Sequence, residues 1–212
     1  MKRVAIRLKL LGVGAMNSPR YAPAGLLVQC AGERVMLDGG PGATPNEAVR
    51  AWLVTDEHGE LMREIRALAR IRDVEPKVAT YSAKGLTLRP RKVRHTSHAT
   101  YGYLIEAEGK KIVWAPEFFA FPVWARGADL MFAEAAAWNR PIHFAGGVGG
   151  HACALDVARK AKKYGVRRLI LAHIGRPTIR AIDAGQKLPF GEFGEEGRVY
   201  TLREARGRLA DL

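Results

Sequence analysis

Six histidines are spread over the 212 residues. Five of them, His58, His95, His98, His151 and His173, stand with the acids Asp38, Asp56, Glu57, Glu117 and Glu134 at places where short apolar runs begin or give out. Imidazole and carboxylate are ligands for divalent metals, and they are the acid and base of hydrolysis. In layered α/β proteins, sites collect at strand ends and in the loops that follow them. Taken singly, each residue also has an ordinary explanation. A histidine after a buried strand is commonly a hydrogen-bonded structural residue. Asp38 before Gly39-Gly40 can order its own loop, and Asp56 and Glu60 suit the start of a helix, where acids are favoured. Convergence of four or five of them is what marks a site, because buried charges need partners or a metal.

The elements that must position these residues follow from periodicity. Residues 2–11 alternate about Val4, Ile6 and Leu8 as a strand. Residues 12–25 form a Gly/Pro loop, and GLLVQCAGERVMLDGGPGA reads as strand, turn at Gly32, strand and glycine-rich loop. Residues 46–52 read as helical and WLVT as a short buried strand. GELMREIRALARI reads as a helix with Leu61, Ile65, Leu68 and Ala69 on one face. YGYLIEAEGKKIVWAPE is a hairpin turning at Glu108-Gly109, and ADLMFAEA is a buried strand. GGHACALDVARKAKKYG opens on glycines, continues as an Ala-rich helix and stops at Gly165. RRLILAHIG is a buried strand of parallel type that reaches His173. From residue 180 onward the pattern predicts a short helix, a polar turn, the strand RVYTL and a charged segment. The expectation is sheet layers covered by helices, in one domain over residues 1–212.

The 48% apolar and 26% charged composition is that of a soluble globular chain. No apolar stretch approaches the ~20 residues needed to span a bilayer, and Arg7 and Lys9 interrupt the N-terminal apolar residues, which argues against a signal peptide. The expected location is cytoplasmic, with no membrane partner. Cys30 and Cys153 make no CxxC motif and no disulfide framework; Cys153, two residues after His151, reads as packing. The net charge of +13 attracts polyanions, from nucleic acid to phosphorylated small molecules. The basic residues are scattered, however, without the interleaved aromatics of a stacking platform. PEFFAFPVWARGAD is aromatic enough to line a pocket, to join two copies of the chain into a homo-oligomer, or to pack in the core.

Six stretches, in order, resemble the metallo-β-lactamase superfamily, and within it the ribonuclease Z and phosphodiesterase branch. They are LGVGAMNSPRYAPAGLLVQCAGERVMLDGGPGA, LVTDEHGEL, HTSHATYGYLIEAEGKKIVWAPE, ADLMFAEA, GGHACALDVARKA and RRLILAHIGRP. The resemblance implies an α/β fold, a four-layer αβ/βα sandwich with its site at one edge of the two sheets. It gives Asp38 the part of an aspartate that supports metal-binding loops through hydrogen bonds. The family's histidine-rich motif falls on residues 55–61, with Asp56 in place of the first histidine and His58 as the second. Glu60 stands in place of the motif's aspartate, and Leu61 in place of its final histidine. The histidine of the next strand corresponds to His95 or His98, the bridging aspartate to Glu117, and the last histidine to His173. Glu134 and His151 match a carboxylate–histidine pair that hands a proton to the leaving group, as expulsion of an alkoxide requires.

The metal ligands so implied are Asp56, His58, His95 or His98, Glu117 and His173, for one or two divalent ions, with one favoured. Carboxylates in place of imidazoles harden the site, so manganese and iron join zinc as candidates. They also leave a bound water less acidified. The implied function is a metal-dependent hydrolase that cleaves a phosphodiester or related ester with a metal-activated water oriented by Glu60. A chain this short, without a protruding Gly/Pro-rich arm, suits a small-molecule or nucleotide-type substrate better than transfer RNA. The other function class compatible with the sequence is a non-catalytic ligand- or nucleic-acid-binding protein that kept the fold and lost the metal centre.

Overall fold

Side-chain alternation in the first strands decides the architecture. A computed structural model describes residues 5–203. In it β1 (Ile6–Gly12), β2 (Gly25–Cys30) and β3 (Glu33–Asp38) form an antiparallel meander. Leu26, Val28, Val35 and Leu37 join the main core on one face, whereas Leu27 and Met36 belong to a second cluster on the other. A sheet apolar on both faces must be covered twice. β4 (Ala51–Leu53) and β5 (Pro76–Lys77) extend it in parallel, and between them α1 (Met62–Arg70) places Met62, Ile65 and Ala69 on the second cluster.

The second sheet begins with β6 (Tyr81–Ala83), β7 (Leu86–Val93), β8 (Thr100–Ala107) and β9 (Lys110–Ala115), each antiparallel to the next of the four. β10 (Leu130–Ala135) then runs parallel to β9. A small ribbon of β11 (Ile142–His143) and β12 (Gly150–His151) precedes α2 (Ala154–Lys163). β13 (Leu169–Ile174) pairs in parallel with β10, and α2 packs on both strands. After α3 (Arg176–Asp183), β14 (Glu192–Phe193) closes the second sheet and β15 (Val199–Leu202) returns to lie beside β1. The layers are therefore α1, first sheet, second sheet and α2, the αβ/βα sandwich expected. The core between the sheets is sealed by fully buried Trp114, Tyr103 and Phe132, each burial contributing roughly 1.5–3 kcal/mol.

Ala31-Gly32, Lys84-Gly85 and Glu108-Gly109 each have positive φ at both residues. That handedness suits two-residue hairpins joining twisted strands, and it sets the registers Cys30↔Glu33, Ala83↔Leu86 and Ala107↔Lys110. Two expectations need correction. Residues 46–50 are not helical, and Ala51–Leu53 is strand β4. There Trp52 pairs with Met36 and donates its indole N–H to the Asp38 carbonyl at 2.8 Å, so tertiary pairing overrides local helix preference. The helix expected from residue 180 begins at Arg176, with Gly175 as N-cap and Pro177 in its first turn, a common helix-start signal. Residues 2–4 of the expected first strand and the charged segment from 204 lie outside the described residues.

Candidate active site

Parallel strands gather their C-terminal ends on one side, and the chemistry-bearing residues gather there with them. β3 ends at Asp38, β4 leads into Thr55 and Asp56, β9 leads to Glu117, and β10 and β13 carry Glu134 and His173. The β7–β8 connection brings His95 and His98, and β12 brings His151. Asp38, Asp56, His58, Glu60, His95, His98, Glu117, His151 and His173 all line a single cavity of ≈570 Å³. Glu134 is fully buried behind it.

The inner part of the site is a chain of alternating imidazoles and carboxylates. Glu117 receives His95 Nε2 at 2.8 Å on Oε2 and His173 Nε2 at 3.1 Å on Oε1. Glu134 receives His173 Nδ1 at 3.1 Å on Oε1 and His151 Nδ1 at 2.8 Å on Oε2. The backbone N–H groups of Ala136 (2.8 Å) and Phe118 (3.1 Å) also donate to Glu134. Four donors use both oxygens of that carboxylate in full. His95 Nδ1 donates to the Gly150 carbonyl at 2.9 Å. All three rings donate from Nδ1 to an acceptor-only oxygen. His95 and His173 also donate from Nε2 to Glu117, so in this arrangement each holds a proton on both nitrogens, whereas His151 Nε2 has no partner among the described residues.

Electrostatics follow from burial and pairing. Burial alone would lower the pKa of His173, but the Glu117 and Glu134 charges raise it to about 10. His95 is raised in spite of burial by its bond to Glu117. Burial works to raise both carboxyls, yet the His173 and His95 charges hold Glu117 well below the usual range. His151 and His173 likewise bring Glu134 to about 2.

Backbone geometry aims these side chains. The β10–β13 register shifts between Ala133 and Ala135, at Glu134, and His173 has φ 59°. A left-handed histidine costs about 1–3 kcal/mol and is held only where surrounding structure demands it. Gly149 and Gly150 bring β12 against the His95 loop: a Cβ would lie 1.9 Å from the His95 carbonyl oxygen at Gly149, and 1.8 Å from the Ile142 carbonyl oxygen at Gly150. These glycines therefore serve a close approach of backbone to backbone. The first two amides of α2 are engaged as well, Ala154 N with Ala137 O at 2.8 Å and Leu155 N with Trp138 O at 3.1 Å.

Asp38 sits at the floor of the cavity. Its carboxylate accepts from Thr55 N (2.7 Å), from Thr55 Oγ1 and, across the sandwich, from Trp114 Nε1 at 2.7 Å. Burial raises its pKa to about 7, against the pull of the Trp114 and Thr55 bonds. At the rim, Asp56 Oδ1 accepts from His58 N at 2.8 Å, and Asp56 Oδ2 meets His98 Nε2 at 2.7 Å. The His58 and His98 rings lie edge to face, 5.2 Å apart. Asp56 and Glu60 do not cap α1, whose N-cap, Leu61, makes no side-chain capping bond. His95 and His98 thus part company: His95 is buried with Glu117, while His98 is exposed beside Asp56.

Several contributors carry no sequence signal of their own. Thr55 and Trp114 hold Asp38, and Phe144 stands edge-on to both His95 and His151 at 5.3 Å. Their importance comes from long-range contact alone. The aromatic stretch at 116–129 packs largely in the core: Phe118 and Phe121 are buried, and Phe121 stacks on Tyr164 at 5.3 Å. Cys30 and Cys153 are buried free thiols.

The donor set suits a divalent cation. Imidazoles anchored through Nδ1 to carboxylate or carbonyl oxygen present an oriented Nε2, the usual support of a metal-binding histidine. Glu134, His151 and His173 also bring ligand atoms within 4.8 Å of one another.

Residues 42–174 match the family described as beta-lactamase superfamily domain. A ribonuclease Z of Pseudomonas putida is 45% identical over 49 residues, a stretch spanning 23% of this chain and only 15% of the ribonuclease. The metallo-beta-lactamase fold protein YhfI of Bacillus subtilis superposes with a TM-score of 0.72 at 15% identity, covering 93% of this chain and 100% of that one. A diphosphatase of the PhnP family does so with a TM-score of 0.73 at 16% identity, covering 95% and 99%. At such identities the two structures speak for the fold.

Proposed function

The chain belongs to the beta-lactamase superfamily, and from that premise we propose that it is a hydrolase that cleaves a phosphodiester or related ester with the aid of a divalent cation. The observation that carries the reading is the common anchoring of His95, His151 and His173 through Nδ1, with the Nε2 atoms of His95 and His173 converging on Glu117 and that of His151 unpartnered among the described residues. Glu134 is saturated by four donors, so its part is to orient His151 and His173. A cation would be held by His95, His173 and Glu117, replacing the protons those two rings now share with Glu117, and Asp56, His58 and His98 line the same cavity at its rim. This carboxylate-rich set suits manganese or iron as well as zinc, and one ion better than two, since Leu61 offers no ligand. Such a cation supplies Lewis acidity to a water and to the scissile ester.

The remaining steps belong to the chain. Glu60, on the exposed rim, orients the attacking water. Asp38 keeps the Thr55–Asp56 turn in place against Trp114. His151, steadied by Glu134, passes a proton from Nε2 to the departing oxygen. The ribonuclease Z and diphosphatase likenesses, together with the +13 charge, favour a phosphate-containing, nucleotide-type substrate. The test is metal content per chain in protein prepared without chelators, alongside hydrolysis of bis(4-nitrophenyl) phosphate. About one equivalent of manganese, iron or zinc is expected, with His173→Ala losing both metal and turnover. Full metal content in His173→Ala, or hydrolysis indifferent to a chelator, would sink the assignment.

A further inference from the structure

The cavity has two unlike walls. One is the imidazole–carboxylate chain. The other comes from the loop after β1 and the start of α1, where Met16, Pro23, Leu61, Met62 and Ile65 line the space. Met62 and Ile65 are backed by the second core cluster, which fixes them. Leu61 lies over Gly40: a Cβ placed there would touch Pro23 Cγ at 3.4 Å and Leu61 Cδ1 at 3.6 Å. Pro23 and Leu61 thus converge on one point, and Met62 and Ile65, each 5% exposed, close the apolar wall behind Leu61.

That surface begins immediately after the Asp56–Glu60 rim, so the polar and apolar walls meet within a few residues of chain. None of its side chains can bind a hard divalent cation, move a proton or hydrogen-bond a phosphate. What they can do is withdraw hydrocarbon from water, at roughly 25 cal/mol per Å². The volume of ≈570 Å³ is that of a pocket for an organic ligand, within the usual range of about 300–1,000 Å³. Arg176, the first residue of α3, also lines the cavity and makes no ion pair with a described residue. It adds a guanidinium suited to an anionic group.

We propose that Met16, Leu61, Met62 and Ile65 form a subsite for an aryl or branched alkyl group, so that the substrate is an anionic ester carrying a hydrocarbon substituent beside the reacting centre. The anionic part rests on the hydrolase reading above; the apolar part rests on the cavity wall. The test is NMR of protein labelled at methionine and isoleucine methyl groups, titrated with phenylphosphonate, methylphosphonate and neutral benzyl alcohol. Phenylphosphonate should bind at least tenfold tighter than methylphosphonate and move the Met16, Met62 and Ile65 signals. Benzyl alcohol alone should move the same signals. Leu61→Asn should cut the preference below threefold, and Met16→Gln, at a residue 38% exposed and so safe for folding, should at least halve it. Equal binding of the two phosphonates overturns the subsite and leaves the hydrolase reading standing. Methyl shifts with benzyl alcohol but with neither phosphonate uphold the subsite and count against the phosphate ester. No methyl shift with any probe overturns the proposal.

Discussion

His151 and His173 share one carboxylate but differ in what lies beyond them. His173 meets a second carboxylate, Glu117, at 3.1 Å, whereas His151 Nε2 has no partner among the described residues. On the proposed reading, the same ring type divides into a ligand and an acid. His151→Gln should retain the metal and lower kcat by about 10²–10⁴-fold, the usual size of general-acid assistance, with KM little changed. Steady-state kinetics beside elemental analysis decide it, and unaltered kcat, or metal lost with the ring, would remove His151 from that role. At this scale the sequence was legible in residue type and strand-end position, which was enough to single out Asp38, Glu117, Glu134 and His173. It was silent on His95 against His98. The two differ because Gly149 and Gly150, more than fifty residues away, bury one of them and not the other.

At the scale of elements, what could be read was what is local. The Glu108-Gly109 hairpin, the Ala-rich α2 and the parallel β13 follow from turn chemistry and apolar pattern. The 46–52 segment did not, because Trp52 answers to β3 and Asp38 and not to its neighbours in sequence. Nothing local in AGGVGG tells what its glycines do; in the structure, Gly149 and Gly150 lie against backbone carbonyls. Gly150→Ala should accordingly be severe. Its φ is 147° and its Cβ would lie 1.8 Å from the Ile142 carbonyl oxygen, so a loss of about 2 kcal/mol or more is expected. Gly147→Ala, with φ 70° and nothing within 4 Å of its Cβ, should cost only the left-handed backbone penalty of roughly 1–2 kcal/mol. Denaturant midpoints compare the two, and equal losses would refute the close-approach explanation.

Over the whole molecule, the layered sandwich was legible from the order of elements, while the scattered positive charge disclosed no binding face. The buried charge chain does have a global consequence, since a folded pKa that differs from the unfolded one makes stability depend on pH. In the metal-free protein, His173 is raised from 6.5 to about 10, so its stabilisation is complete below about pH 6.5 and is lost as pH rises towards 10. Asp38, raised from 3.8 to about 7, loses stabilisation in the same direction over that lower window. Glu134, lowered from 4.5 to about 2, acts oppositely, its contribution present above 4.5 and lost as pH falls towards 2. Metal-free protein should therefore melt several degrees lower at pH 9 than at pH 6, at about 2–4 °C per kcal/mol. A divalent cation, which binds neutral imidazole, should flatten that alkaline limb. Tm measured from pH 5 to 9.5 with and without manganese tests this, and coincident curves would count against a cation at His173.

His95 and Gly150 hold one another twice, ring nitrogen to carbonyl at 2.9 Å and amide to carbonyl at 2.8 Å, and His151 is the next residue along. The ring assigned to the cation and the ring assigned to the proton hang from one small splice between two distant parts of the chain. An engineer moving this site to another scaffold would have to transplant residues 93–97 and 149–153 as a single graft, glycines included. Carried over separately, neither ring would have anything to tell it where to point.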